Sequence, residues 1–222
     1  MKIATSLVSL VLLGAPALAQ WSTATLSLAR RDRAAASAGH IALFAGGSID
    51  ADRTPVDVVD LYDARTGAWS TSALSQARSF LSATGVDGKI LVAGGADQDD
   101  VGVDRVDVYD VETGTWTIDS LSEPRVRPAA ATVGRYAVFV GGSDGLFGAS
   151  SDTVDVYDVT TGSWAVATLP FPVSFAEAAP VGDRVVIVDG NGFRDHLLFA
   201  PAPGVSPRIP RPTTEAEFLV AT

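Results

Sequence analysis

The apolar positions of this chain fall in short runs, either solid or alternating, and no long stretch repeats them at the spacing of a helix. Ile41–Ala45, Ile90–Ala93 and Ala137–Val140 are solidly apolar, and each ends at a glycine pair. Val106-Asp107-Val108-Tyr109 and Val154-Asp155-Val156-Tyr157 alternate residue by residue. Runs of this length, bounded by Gly, Asp and Thr, predict β-strands. Each unit predicts four of them. The first begins near an arginine (Arg30, Arg78 or Arg125) and is rich in small residues, as at Ala129–Thr132. A tight turn such as Asp87-Gly88 or Val133-Gly134 leads into the solid run, and the alternating run is third. The third run enters an Asp-x-x-Thr-Gly turn, where the carboxylate can accept backbone N–H bonds and the glycine can take positive φ. The fourth carries a tryptophan.

Three residue types share one period. Gly46-Gly47, Gly94-Gly95 and Gly141-Gly142 are 48 and then 47 residues apart. Trp21, Trp69, Trp116 and Trp164 step by 48, 47 and 48, and the pairs at Tyr62, Tyr109 and Tyr157 step by 47 and 48. A period of this length predicts a solenoid or propeller. A lone four-stranded sheet cannot bury both faces, and radial stacking places small first-strand residues at the axis and Tyr and Trp between blades toward the rim.

The set Arg78, Gly94-Gly95, Val106-Asp107-Val108-Tyr109-Asp110, Thr113-Gly114 and Trp116, repeated over Arg30–Trp69 and Arg125–Trp164, resembles the kelch repeat family. The resemblance implies an all-β, kelch-type propeller in which the glycines, Tyr and Trp are structural. It also implies a partner-binding face formed by the loops joining strands two to three and four to one. A fourth copy is degenerate: Val185–Gly190 has Asp189 in place of the first glycine, and the arginine is missing near Val173. Trp21–Leu26 carries a fourth-strand Trp without the first three strands, while residues 175–200 supply three strands without a fourth. Pairing of the two is expected to close a four-bladed ring. A monomer is the expected state, and an open arc that dimerises into eight blades is its rival.

The first residues add a location. Met1-Lys2, the apolar run Ile3–Leu13 and Ala17-Leu18-Ala19 have the layout of a cleavable signal peptide. Ile3–Leu13 is too short to span a bilayer. The expected organisation is a signal peptide at 1–19, a propeller at 20–200 and a proline-rich tail with one short strand at 201–222. The mature protein is therefore expected to be secreted or periplasmic. Without Lys2 the chain has 15 Lys and Arg against 26 Asp and Glu, a surface that repels nucleic acid and attracts cations or basic partners. With no cysteine, it can form neither a disulfide framework nor the cysteine-crosslinked tyrosine of kelch-like copper oxidases.

The sequence offers no catalytic set. His40 and His196 are the two histidines, and no zinc-binding HExxH, GxSxG or phosphate-loop pattern occurs. The candidates for binding lie in the loops between strands two and three: Asp50, Asp52, Asp97, Asp99, Asp100 and Asp144, with Leu146 and Phe147 at an expected exposed tip. No metal site and no cofactor is assigned, although oxygen-rich loops of this kind admit Ca²⁺. The expected function is an exported, non-catalytic module that binds protein or glycan through these loops. The alternatives are an extracellular enzyme acting on carbohydrate or peptide and a secreted structural or calcium-binding propeller.

Overall fold

Four small antiparallel sheets form in chain order in the computed structural model, which describes residues 23–190 and 196–201. The leader at 1–19, Trp21 and the tail from residue 202 lie outside the described residues. Blade 1 contains β1 (Ala34–Ala38), β2 (Ile41–Ala45), β3 (Val58–Asp63) and β4 (Ala68–Ala73). Blade 2 contains β5 (Ser82–Val86), β6 (Lys89–Ala93), β7 (Arg105–Asp110) and β8 (Thr115–Ser120). Blade 3 contains β9 (Ala129–Val133), β10 (Tyr136–Val140), β11 (Ser151–Asp158) and β12 (Ser163–Val173). Blade 4 contains β13 (Glu177–Val181), β14 (Arg184–Val188) and β15 (His196–Phe199). Consecutive strands pair throughout, and β1 packs on β5, β5 on β9 and β9 on β13. The protein is a four-bladed β-propeller. Among the described residues there is no helix, hence none able to cross a membrane.

The core lies between blades, as the two-sided strand pattern requires. Leu43, Ala45 and Leu61 of blade 1 meet Ile90, Val92 and Tyr109 of blade 2. Leu91, Ala93 and Val108 then meet Ala137, Phe139 and Tyr157 of blade 3, and Val138, Val140 and Val156 meet Val185, Ile187 and Phe199 of blade 4. The aromatic ladder is part of this packing. Tyr109 and Trp116 lie 4.9 Å apart between ring centroids, and the Trp116 indole N–H donates to Ser72 Oγ of the preceding blade.

Within each complete blade a buried charge pair ties the strands together. Arg78 is fully buried, donates to the carbonyls of Gly94 and Arg105, and pairs with Asp107. Asp107 also accepts the Ser75 N–H at 2.9 Å. Arg125 and Asp155 repeat the arrangement with Ser122, and Arg30 and Asp60 repeat it with Ser27. The aspartate of the alternating run is therefore a buried counter-ion. In blade 4 the two positions hold Val173 and Leu197, both buried in one apolar cluster. Charge and counter-charge have been lost together, which avoids leaving either one buried alone.

The glycine pair couples successive blades. Gly47, Gly95 and Gly142 donate their N–H to the carbonyls of Arg78, Arg125 and Val173 in the next blade, at 2.9–3.0 Å. The preceding glycine must stay bare. A Cβ on Gly46, at φ +59°, would lie 2.6 Å from the Arg78 carbonyl oxygen.

The expected closing strand is not observed in the described part of its sequence. Thr23–Leu26 join no sheet, so blade 4 has three strands among the described residues, and Trp21 and Ser22 lie outside them. Ser27 explains where this segment goes, because its N–H is bound to Asp60 of blade 1.

Arg78→Met should destabilise the fold by roughly 3–5 kcal/mol, because Asp107 is left buried without its partner. Arg78→Met combined with Asp107→Leu should recover much of that loss, as blade 4 does naturally. Denaturant unfolding of the two single variants and the double variant measures the coupling, and additive losses would exclude a paired role.

Candidate functional site: the axial mouth and its loops

The first strands converge on a cavity of about 670 Å³ along the propeller axis. Every blade lines it with the same four-residue window: Asp32–Ala35, Phe80–Ala83, Arg127–Ala130 and Phe175–Ala178. Alanine and serine at the inner positions of blades 1 to 3 leave room at the axis, while blade 4 contributes Glu177 to the lining. At the mouth stand Asp32, Phe80, Arg127 and Phe175, each two residues after the buried arginine position. All four have a left-handed backbone, with φ between 50° and 55°. Neighbouring members are joined by backbone bonds, Phe80 N–H to the Asp32 carbonyl at 2.8 Å and Arg127 N–H to the Phe80 carbonyl at 2.9 Å. A bulky residue in this conformation costs about 1–3 kcal/mol, and such positions cluster where a side chain is held for function.

Arg127 is the centre of this ring. Its guanidinium carbon lies 4.0 Å from the Phe80 ring centroid and 4.9 Å from that of Phe175. Two aromatic faces fix the cation, and among the described residues the guanidinium makes no ion pair. Burial holds Arg127 below the ordinary arginine range; Asp32 opposes that shift and Arg53 adds to it. A planar cation stacked in this way presents a fork of donors matched to a carboxylate.

The loops anticipated from the sequence form the surface beside this mouth. They are linked across three blades: Arg53 pairs with Asp100 at 2.8 Å and lies 5.8 Å from the centroid of the Phe147 ring. Leu146 N–H donates to the Asp100 carbonyl, and Gly102 N–H donates to that of Asp144. Asp97 Oδ1 accepts the N–H groups of Asp99 and Val101, and Asp50 Oδ1 accepts that of Thr54. The Thr54 bond holds the Asp50 carboxyl below its usual range. Asp52, Asp99 and Asp144 are exposed. Among the described residues no cluster of three or more His, Asp or Glu side chains is placed to hold a metal.

The expected exposed tip divides into two. Phe147 is 88% exposed, whereas Leu146 is buried with Phe80, Ala96 and Val126. Leu146 is a correction to the expectation of two exposed residues, and its cause is the Asp100 bond that turns the loop inward. Sequence reasoning also missed Asp32, Phe80, Arg127 and Phe175. Their signal was variability in register: four dissimilar residues at one fixed offset inside an otherwise repeated frame.

The family model for the Kelch motif matches residues 77–118 and 124–168, which are blades 2 and 3. The chain carries kelch repeats. A solved structure described as "Structure of YjhT" superposes with a TM-score of 0.58 at 16% identity, covering 71% of this chain and 58% of that one. At this identity the likeness establishes the fold, and the kelch chain described here spans 58% of the length of that structure. No curated protein matches the sequence at a significant level.

Phe175, half exposed at the mouth of this kelch propeller, is held at φ +50°. Phe175→Gly relieves that backbone and loses one stacked ring, so the melting temperature should stay level or rise by an amount equivalent to about 1 kcal/mol. Thermal unfolding checks this, and a loss of more than about 2 kcal/mol would make the ring a structural element.

Proposed function

We propose that this kelch propeller is an exported, non-catalytic interaction module that binds a protein or glycan through a carboxylate group presented to the axial mouth. The observation carrying this reading is the Arg127 guanidinium, stacked between Phe80 and Phe175 with no ion pair among the described residues. Kelch propellers mediate protein interactions, and the repeat frame supplies the same rigid support here. Export is inferred from the leader pattern at 1–19. The linked loops carrying Asp100, Arg53 and Phe147 extend the mouth into a broader contact surface. Such a surface suits a macromolecular ligand whose acidic group enters the centre.

Binding of the mature chain to arrays of acidic and neutral glycans, and to peptides with free or amidated carboxylates, tests the proposal. Retention should require the carboxylate, and Arg127→Met should weaken it at least about tenfold, since truncating a charged hydrogen-bonding partner costs about 2–5 kcal/mol. Equal binding of neutral and acidic ligands, or an unaffected Arg127→Met variant, rejects the site. Export is checked separately by the mass of the secreted product, which should begin at Gln20. A product retaining Met1 would reject cleavage.

A further inference from the structure

Each internal junction sets the trailing face of one blade against the leading face of the next, and among the described residues the series ends on one uncovered face of each kind. Trailing-face positions in blades 1 to 3 are sealed: Ala38, Val86, Val133, Ala45, Ala93, Val140, Leu61, Val108 and Val156 are at most 9% exposed. Their blade 4 counterparts remain apolar but open, with Val181 at 55%, Val188 at 46% and Leu198 at 47%. The leading face of blade 1 shows the same contrast. Ile90, Val92 and Tyr109 of blade 2 are buried, whereas their counterparts Ala42, Phe44 and Tyr62 are half-buried. Trp116 donates to Ser72 and Trp164 to Asp119, each in the preceding blade, while Trp69 is 41% exposed.

The two open ends also carry substitutions. At the first junction a Cβ on Gly46 would meet the Arg78 carbonyl oxygen and the Leu81 side chain, and at the second a Cβ on Gly94 would meet the Arg125 carbonyl oxygen and Pro128. Thus a bare glycine faces an apolar residue three positions beyond the buried arginine. In blade 4 the glycine position is Asp189, and in blade 1 the facing position is Arg33, whose guanidinium already reaches the Arg30 carbonyl. Asp189 itself is buried and accepts the Ser174 N–H of its own blade, so what the two ends offer each other is their uncovered apolar faces.

We propose that two copies of this chain associate head to tail, the trailing face of blade 4 in each packing on the leading face of blade 1 in the other. The two contacts are heterologous and are related by a two-fold axis, so the assembly closes as a ring of eight blades. Each contact covers Val181, Val188 and Leu198 with Phe44, Tyr62 and Trp69 of the second copy. The Gly190 N–H donates within its own blade to Ser174, so this junction lacks the glycine-to-carbonyl bond of the internal ones. It should therefore be the weakest of the four junction types and depend on concentration.

Sedimentation of the mature chain across a micromolar concentration range should give twice the chain mass at the upper end. Leu198→Glu changes a residue already exposed in the single chain, so it should leave the circular dichroism unchanged and give the single-chain mass. Trp69→Glu changes an exposed residue on the opposite face and should likewise weaken association at least about tenfold. A single-chain mass for the unaltered protein at every concentration overturns the proposal. So does a dimer that survives Leu198→Glu or Trp69→Glu.

Discussion

A guanidinium and a carboxylate buried side by side set the geometry of each complete blade. Burial pushes Arg78 down to about 10, with Asp107 working in the opposite direction, so the pair persists because each charge satisfies the other. Its reach exceeds its size. Arg78 fixes the end of β6 through the Gly94 carbonyl and the start of β7 through the Arg105 carbonyl. Its own carbonyl receives Gly47 of the preceding blade, while Asp107 holds the incoming segment at Ser75. Intrablade registry and interblade spacing thus meet at one residue, which explains why arginine and the double glycine repeat with the same period.

Blade 4 shows what happens where that constraint is relaxed. Val173 and Leu197 replace the charge pair with buried apolar side chains, and Asp189, in the glycine position, is buried with its carboxylate accepting the Ser174 N–H of the same blade. The same blade presents the uncovered apolar face. These changes belong together, since among the described residues this blade has one neighbouring blade to match.

The frame was legible in the sequence because each of its parts has a fixed chemical need. Glycine is required by a close carbonyl, tryptophan by a gap between diverging sheets, and alanine by the crowded axis. Asp107 and Asp155 were harder to read, since alternation of Val-Asp-Val-Tyr suggests a solvent-facing acid and only the fold reveals the arginine across from it. The mouth was harder still. Asp32, Phe80, Arg127 and Phe175 share neither size nor charge, and their common backbone conformation becomes visible only in three dimensions. Leu146 and Phe147 are adjacent and both apolar, yet one loop bond decides which of them is buried. Constancy of position with freedom of residue type is how this fold separates support from recognition.

Backbone hydrogen exchange at Ser27, Ser75 and Ser122 tests whether the Arg–Asp pairs organise the segments entering each blade. These serines are exposed and belong to no sheet, but each donates its amide to a buried aspartate at 2.9–3.0 Å. The account predicts slow exchange at all three, comparable with amides in the adjoining strands. Exchange as fast as that of an ordinary exposed loop amide such as Gln98 would contradict it.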